Sequence, residues 1–376
     1  MLNKEKQIKR VVIKIGSSSL TSMHGEISRK KLEHLAEQIV ALKDAGYETA
    51  VVSSGAVAAG YRKLGCIERP CSLPEKQAAA SIGQGLLMES YSELFLSHGY
   101  VASQILITRS DFSDEIRFEN VKNTMKVLLE RGIIPIINEN DTVTVDRLKF
   151  GDNDTLAAKV AGLIDADFLI ILSDIDGLYD KNPNDHPDAK LLENVHRITP
   201  EIENAAGGSG SAVGTGGMKS KIEAVKIAMA AGIDSFLGKA CCEDIMMNAV
   251  NGTAKGTYFE QEPDALNLDD KQQWIAFHSG PEGKVTISER GKKVMIELHE
   301  DLYCSDILEV KGEFSDGAVV RILDETGIEL GLGRINYSDE QLKLTEDGSN
   351  NGKEQIPAIP HETFVCALDF KLPAIG

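Results

Sequence analysis

Short apolar runs rich in β-branched residues alternate with amphipathic stretches over the first two-thirds of this chain, and that alternation restricts the fold more than any other property. The runs fall at Val11–Ile15, Thr49–Val52, Ile105–Thr108, Ile133–Ile137, Phe168–Leu172 and Ser235–Leu237. Between them, Lys30–Lys43, Lys76–Leu96, Phe118–Arg131 and Thr155–Ile164 carry apolar residues at helical spacing. Continuous apolar strands separated by helices predict a mainly parallel central sheet covered on both faces, a three-layer αβα sandwich. In such folds ligands collect beyond the carboxyl ends of the strands, here Gly16–Ser19, Ser53–Gly55, Asn138–Asp141 and Ser173–Asp174.

After Phe259 the pattern changes. Glu260–Lys271 is polar, carries a proline and reads as a linker. Beyond it, Lys284–Ile287, Val294–Leu298 and Val319–Leu323 read as short strands, divided by turn signals such as Ser315-Asp316-Gly317 and Glu346-Asp347-Gly348. The expected organisation is an α/β domain over residues 1–260, a linker over 261–272 and a small β-rich domain over 273–376, which suits a chain of 376 residues.

Charge and cysteine content exclude several classes of function. No apolar run is long enough to span a bilayer, and the basic start leads into a strand without a secretory core, so a cytoplasmic protein is expected. Six cysteines without a CxxC pair read as reduced thiols. A formal net charge of −18 argues against a general nucleic-acid binder but leaves room for ATP, where local lysines and backbone amides dominate.

Several segments carry candidate chemistry. Gly207–Lys221 is glycine-rich and runs into a predicted helix that stops at Gly232. The segment is either a plain surface loop or a phosphate site; free amides at such a helix start favour phosphate, and Lys221, one turn inside it, favours the second. Neither GxxxxGK[ST] nor GxGxxG is present, so a phosphate site on another fold is indicated. Lys14 interrupts an apolar strand, where it is either an edge residue facing water or a buried cation in need of an anion. Ser53-Ser54-Gly55 is either a tight turn or a carboxylate anchor. The clusters Asn138-Glu139-Asn140-Asp141 and Gly151-Asp152-Asn153-Asp154 suit an ammonium group, an amide or a metal, although Asp154 also suits a helix cap. No metal-cage spacing and no Ser-His-Asp or Cys-His order stands out.

VVIKIGSSSL, VVSSGAVAAG, INENDTV, FGDNDTLAA, LSDIDGLYD and GTGGMKSK occur in the order and spacing of the amino acid kinase family, which the chain resembles over nearly its whole length. As a set they are similar to the members that phosphorylate the γ-carboxylate of L-glutamate at the start of proline synthesis. The tail from Gln273 resembles a PUA domain, through Trp274-Ile275 and Gly312–Ile322. It departs from that pattern at Leu302–Ile307, and the kinase part departs at Gly238–Cys242.

The resemblance implies that Lys14 and Lys221 flank the transferred phosphoryl group and that Asp154 positions them. Ser54, Asp141 and Asn153 would bind glutamate. Gly16, Ser17, Thr215, Gly216, Gly217, Met218, Lys219, Ser220 and Lys221 would cradle the ATP phosphates, with Ser173 and Asp174 nearer the nucleoside. It further implies Mg²⁺ carried with ATP, proline as a feedback inhibitor and a homo-oligomer. Two alternatives stay open: a related kinase acting on another carboxylate, a carbamate or a nucleotide, or an RNA-binding role for the tail. The tail's 19 Asp+Glu against 10 Lys+Arg weigh against RNA.

Overall fold

The computed structural model describes residues 8–22, 26–144, 153–183, 185–206, 217–260, 268–345 and 356–366. The chain divides into two compact units, Met1–Ala265 and Leu266–Gly376. Among the described residues, no helix is long and apolar enough to cross a membrane.

In chain order the first unit contains β1 (Arg10–Ile15), α1 (Ser17–Leu20), α2 (Arg29–Asp44), β2 (Glu48–Ser53), α3 (Ala56–Gly60) and α4 (Leu73–Ser97). There follow β3 (Ala102–Ile107), α5 (Arg109–Ser113), α6 (Glu115–Glu130), β4 (Ile134–Glu139), α7 (Asn153–Leu163) and β5 (Phe168–Ser173). The last are β6 (Asn194–Val195), α8 (Pro200–Ala206), α9 (Met218–Ala230), β7 (Asp234–Lys239), α10 (Ile245–Val250) and β8 (Thr257–Phe259).

The strands form one sheet in the order β3-β4-β2-β1-β5-β7-β8-β6. Neighbours from β3 to β7 pair in parallel, and β8 joins β7 antiparallel, so β6 and β8 run against the rest. β1 lies in the middle, in register with β2 on one side and β5 on the other. The chain therefore extends the sheet first to one side of β1 and then to the other, and a crevice forms at that switch point.

Alternation along β1 divides the two faces. Val11, Ile13 and Ile15 enter a core with Leu32, Leu35 and Ile39 of α2, Leu87, Tyr91 and Phe95 of α4, and Met246 of α10. Lys14 points the other way, toward α7 and α9. The expected αβα sandwich is the observed architecture.

One close contact fixes the turn after β2. Gly60 of α3 and Gly83 of α4 let the two helix backbones touch, and a Cβ at either would collide with the other helix, at Ala79 O or Ala56 O. The turn itself passes through Gly55 at φ +104°, a left-handed conformation that glycine adopts without strain.

In the second unit, α11 (Asp270–Gln273) overlaps the end of the expected linker and leads into a π-helical turn, Trp274–His278. β9 (Gly283–Ile287), α12 (Glu289–Ile296), β10 (Ile307–Gly312), β11 (Val319–Leu323), β12 (Glu329–Arg334), α13 (Asp339–Thr345) and β13 (Phe364–Cys366) follow. Their sheet order is β10-β9-β11-β12-β13, around Val285, Ile287, Val320, Ile322, Leu330 and Phe364.

The structure corrects the strand expected at Val294–Leu298, which is largely helix α12. Ser288 Oγ accepts the Gly291 amide at 3.1 Å and caps this helix, and Gly291 and Met295 are buried one turn apart. Leu302–Ile307 holds a 3₁₀ turn over Cys304–Asp306, with Asp306 Oδ1 accepting from Ser288 Oγ at 3.0 Å and Arg290 Nε at 2.7 Å. Gly317 makes the predicted turn at φ +81°, whereas Glu346-Asp347-Gly348 lies outside the described residues.

Candidate active site

Lys14 is 6% exposed and lies on the central strand, so the edge-strand reading fails and an anion must be found for it. That anion is Asp154, in the first turn of α7 and fully buried. Lys14 Nζ stands 2.5 Å from Asp154 Oδ1. Lys221 Nζ, from α9, lies 3.1 Å from Oδ2 and is itself 6% exposed. Ser220 Oγ donates to the same Oδ2 at 3.0 Å. Burial pushes the Asp154 carboxyl up, but the charges of Lys14 and Lys221 and their hydrogen bonds outweigh it and hold it below its ordinary value.

Among the described residues, two cations around one carboxylate give this cluster a surplus of one positive charge. The starts of α7 and α9 add the positive ends of their helix dipoles. Gly16 places its Cα close by, since a Cβ there would lie 3.3 Å from Lys14 Nζ. Such a surplus, held on rigid elements at a strand end, suits a phosphate group.

Asn153, the residue before Asp154, builds the other half of the site. Its Nδ2 lies 2.8 Å from Ser53 O, 2.9 Å from Ser54 Oγ and 2.9 Å from Asn138 Oδ1. Asn138 Nδ2 donates to Gln84 Oε1 at 2.9 Å, and Asn138 Oδ1 also accepts the Glu139 amide at 2.9 Å. Ser54 Oγ thus accepts from Asn153, and among the described residues no acceptor takes its own hydrogen, which suits an incoming acceptor such as a carboxylate. Asp141 lies in the turn after β4, its amide bonded to Glu139 O at 3.0 Å.

The remaining expected residues spread along the same sheet edge. Ser17 opens α1 behind β1. Ser173 ends β5, with its Oγ donating to Asp174 Oδ1 at 3.1 Å and its carbonyl accepting the Ala240 amide at 2.9 Å. No hydrogen bond joins this pair to the lysine cluster among the described residues. Gly217 caps α9 and its carbonyl lies 2.8 Å from Ser220 Oγ, competing with Asp154 Oδ2 for the one hydroxyl hydrogen; Met218 and Lys219 follow, Lys219 being exposed. Thr215, Gly216, the rest of the glycine run from Gly207, and Gly151-Asp152 lie outside the described residues.

Sequence reasoning missed Gln84, although a glutamine between Gly83 and Gly85 in the stretch Ala78–Met88 of small and apolar residues was a readable signal. It also missed Lys239 at the end of β7, paired with Asp176 at 3.5 Å; that carboxylate holds the lysine above its ordinary value. Asp154 has both oxygens engaged by lysines. Among the described residues, no group of three or more His, Cys, Asp or Glu is arranged to hold a metal.

The sequence pattern of the amino acid kinase family matches residues 9–239, and that of the PUA domain matches residues 283–351. The chain is 64% identical over 366 residues to glutamate 5-kinase 2 of Bacillus subtilis (strain 168), covering 97% of this chain and 98% of that one. It is 43% identical over 336 residues to the glutamate 5-kinase of Streptococcus pneumoniae serotype 4, covering 89% of this chain and 90% of that one. Among solved structures, carbamate kinase from Giardia lamblia bound to AMP-PNP shares the fold of the first unit. It is 19% identical, with a TM-score of 0.50, and the match covers 68% of this chain and 99% of that one. With its fold, its lysine–aspartate–lysine cluster and these likenesses in agreement, the chain belongs to the amino acid kinase family and carries a PUA domain at its C-terminal side.

Proposed function

We propose that the protein is an ATP-dependent phosphotransferase that moves the γ-phosphate of ATP to the γ-carboxylate of L-glutamate, giving glutamyl 5-phosphate, the first step of proline synthesis. The observation that carries this reading is Asp154 held between Lys14 and Lys221 and followed back, through the adjacent Asn153, to the Ser54 hydroxyl. The relatives named glutamate 5-kinase, which match along almost the whole chain, supply the acceptor.

In this reading a γ-carboxylate oxygen of glutamate attacks the γ-phosphorus as the bond to the ADP oxygen breaks. A carboxylate is already ionised near neutral pH, so no general base is needed. Catalysis then rests on alignment and on offsetting charge. Lys14 and Lys221 face the phosphoryl oxygens, with Asp154 keeping both ammonium groups in place. Ser54 and Asn153 hold the acceptor carboxylate side, and Asp141 suits the α-ammonium group. Gly16, Ser17 and the Thr215–Lys221 segment take the phosphates, and Ser173 and Asp174 the nucleoside. Mg²⁺ arrives bound to ATP as part of the substrate.

The same reading carries residues 1–260 as the catalytic domain and 273–376 as the PUA-like domain. It also carries a cytoplasmic location, a homo-oligomer and inhibition by proline, which is a cyclised relative of glutamate and fits competition at the acceptor site. The test is a hydroxylamine trap: protein with Mg·ATP and glutamate should form γ-glutamyl hydroxamate, and millimolar proline should reduce its rate. No glutamate-dependent hydroxamate or ADP would sink the proposal.

A further inference from the structure

Gln84 takes no part in the chemistry above, yet it is only 8% exposed and touches the acceptor side of the site. Counting donors fixes how it sits. Asn138 Oδ1 accepts from the Glu139 amide and from Asn153 Nδ2, both at 2.9 Å, so Asn138 must turn its NH₂ toward Gln84. Gln84 answers with its carbonyl at 2.9 Å. Its own Nε2 is then buried without a hydrogen-bond partner among the described residues.

A buried unpaired amide is destabilising, because it has given up water without gaining a partner. Flipping the Gln84 amide would not relieve it, because two NH₂ groups would then face each other across the Asn138 contact. Turning Asn138 as well would set its NH₂ against the Glu139 amide and against Asn153. The unfavourable arrangement at Gln84 is therefore the one that keeps the other three groups matched.

We infer that Gln84 is a positioning residue for the carboxylate substrate. Its carbonyl holds the NH₂ side of Asn138 while the Glu139 amide and Asn153 hold the oxygen side, and Asn153 in turn donates to Ser54 so that the serine hydrogen stays available to the acceptor. Its anchorage is firm, because the neighbouring Gly83 presses α4 against the backbone of α3, which follows the Ser54 turn. The inference rests on the proposed role of Ser54 and Asn153 in holding glutamate.

The test is steady-state kinetics of the full chain with Mg·ATP and glutamate in two variants. Gln84→Met keeps the length and removes the acceptor, so the Asn138 NH₂ is left unpaired and the side chain is held from its oxygen side alone. The KM for glutamate should rise about tenfold, the size of one lost hydrogen bond, with kcat and the KM for ATP within about twofold. Gln84→Glu keeps an acceptor for Asn138 but, when ionised, sets a buried negative charge beside a carboxylate substrate. Its KM for glutamate should fall toward the wild-type value as pH drops from about 8 to 6, while the wild-type value stays flat.

An unchanged KM in Gln84→Met, or equal shifts in kcat and the KM for ATP, would overturn the inference. If Gln84→Met does not fold, a flat pH profile in Gln84→Glu overturns it. Wild-type protein lacking glutamate-dependent activity removes the functional reading and this inference together. An active wild type with an unmoved Gln84→Met removes only the role of Gln84.

Discussion

Replacing Asp154 with asparagine preserves side-chain volume and removes one negative charge from between two buried ammonium groups. At 2.5 and 3.1 Å, each ion pair carries roughly 5–7 kcal/mol of Coulomb attraction at an effective dielectric constant of about 20. Desolvation of the three groups takes back much of this, and breaking such a buried pair from one side typically leaves a net loss of about 3–5 kcal/mol. For a domain of this size that corresponds to a fall in Tm on the order of 6–20 °C. ATP should return part of the loss, because its phosphates offer Lys14 and Lys221 another counter-charge. Asp154→Asn should therefore melt well below wild type, gain more from Mg·ATP than wild type does, and lose at least about a hundredfold in kcat. Its affinity for ATP should hold or improve, since the site has become more positive. Scanning calorimetry with and without Mg·ATP and the hydroxamate assay read these quantities. The sign with pH also follows: the carboxyl of Asp154 lies below its ordinary value, so its stabilisation is fully present above that value and disappears as pH falls through the depressed one. The gap between wild type and variant should thus be constant near neutrality and close only below about pH 4. A variant within about 1 kcal/mol of wild type, or with kcat within about threefold, would refute the reasoning.

Lys221→Ala should cut kcat far more than it raises the KM for glutamate, because the ammonium group is assigned to the moving phosphoryl group; the reverse split in steady-state kinetics would contradict that assignment. Burial and then the nearby Arg109 lower the Lys159 ammonium to about 7, against an opposing pull from Glu223. Its burial disfavours the native state below about pH 7 and is relieved as pH rises toward the unfolded value, so the Tm advantage of Lys159→Met over wild type should shrink between pH 7 and 9. Gly83→Ala drives a methyl group into Ala56 O, and α3 must move. It should cost about 1–3 kcal/mol or more and raise the KM for glutamate through the displaced Ser54 turn, as melting and kinetics together would show.

The sheet was legible because strands buried on both faces leave continuous apolar runs, and each of the six expected runs overlaps an observed strand. Lys14 was legible as an anomaly, but only the position of β1 between β2 and β5 decides that it is buried. The reversed pair β6 and β8 was not, because two and three residues carry no usable period. Val294–Leu298 misled for a related reason: a short apolar cluster fits a strand or a helix end equally well, and the cap at Ser288 settled it. At the site, single residues with unusual chemistry could be read, whereas partnerships could not. The Gln84–Asn138 bond spans 54 positions and the Lys221–Asp154 bond spans 67, and nothing local in either segment announces its partner.

The adjacency of Asn153 and Asp154 at the start of α7 has consequences for how such a site can change. Consecutive helical side chains diverge by about 100°, so one peptide unit sends one group toward the acceptor side and the next toward the phosphate side. The two halves share a single mechanical bearing. A shift of α7 made to admit a longer or shorter acceptor would drag Asp154 with it and misalign both lysines. New acceptor preferences should therefore arise from the turn after β4, around Asp141, while α7 stays where it is.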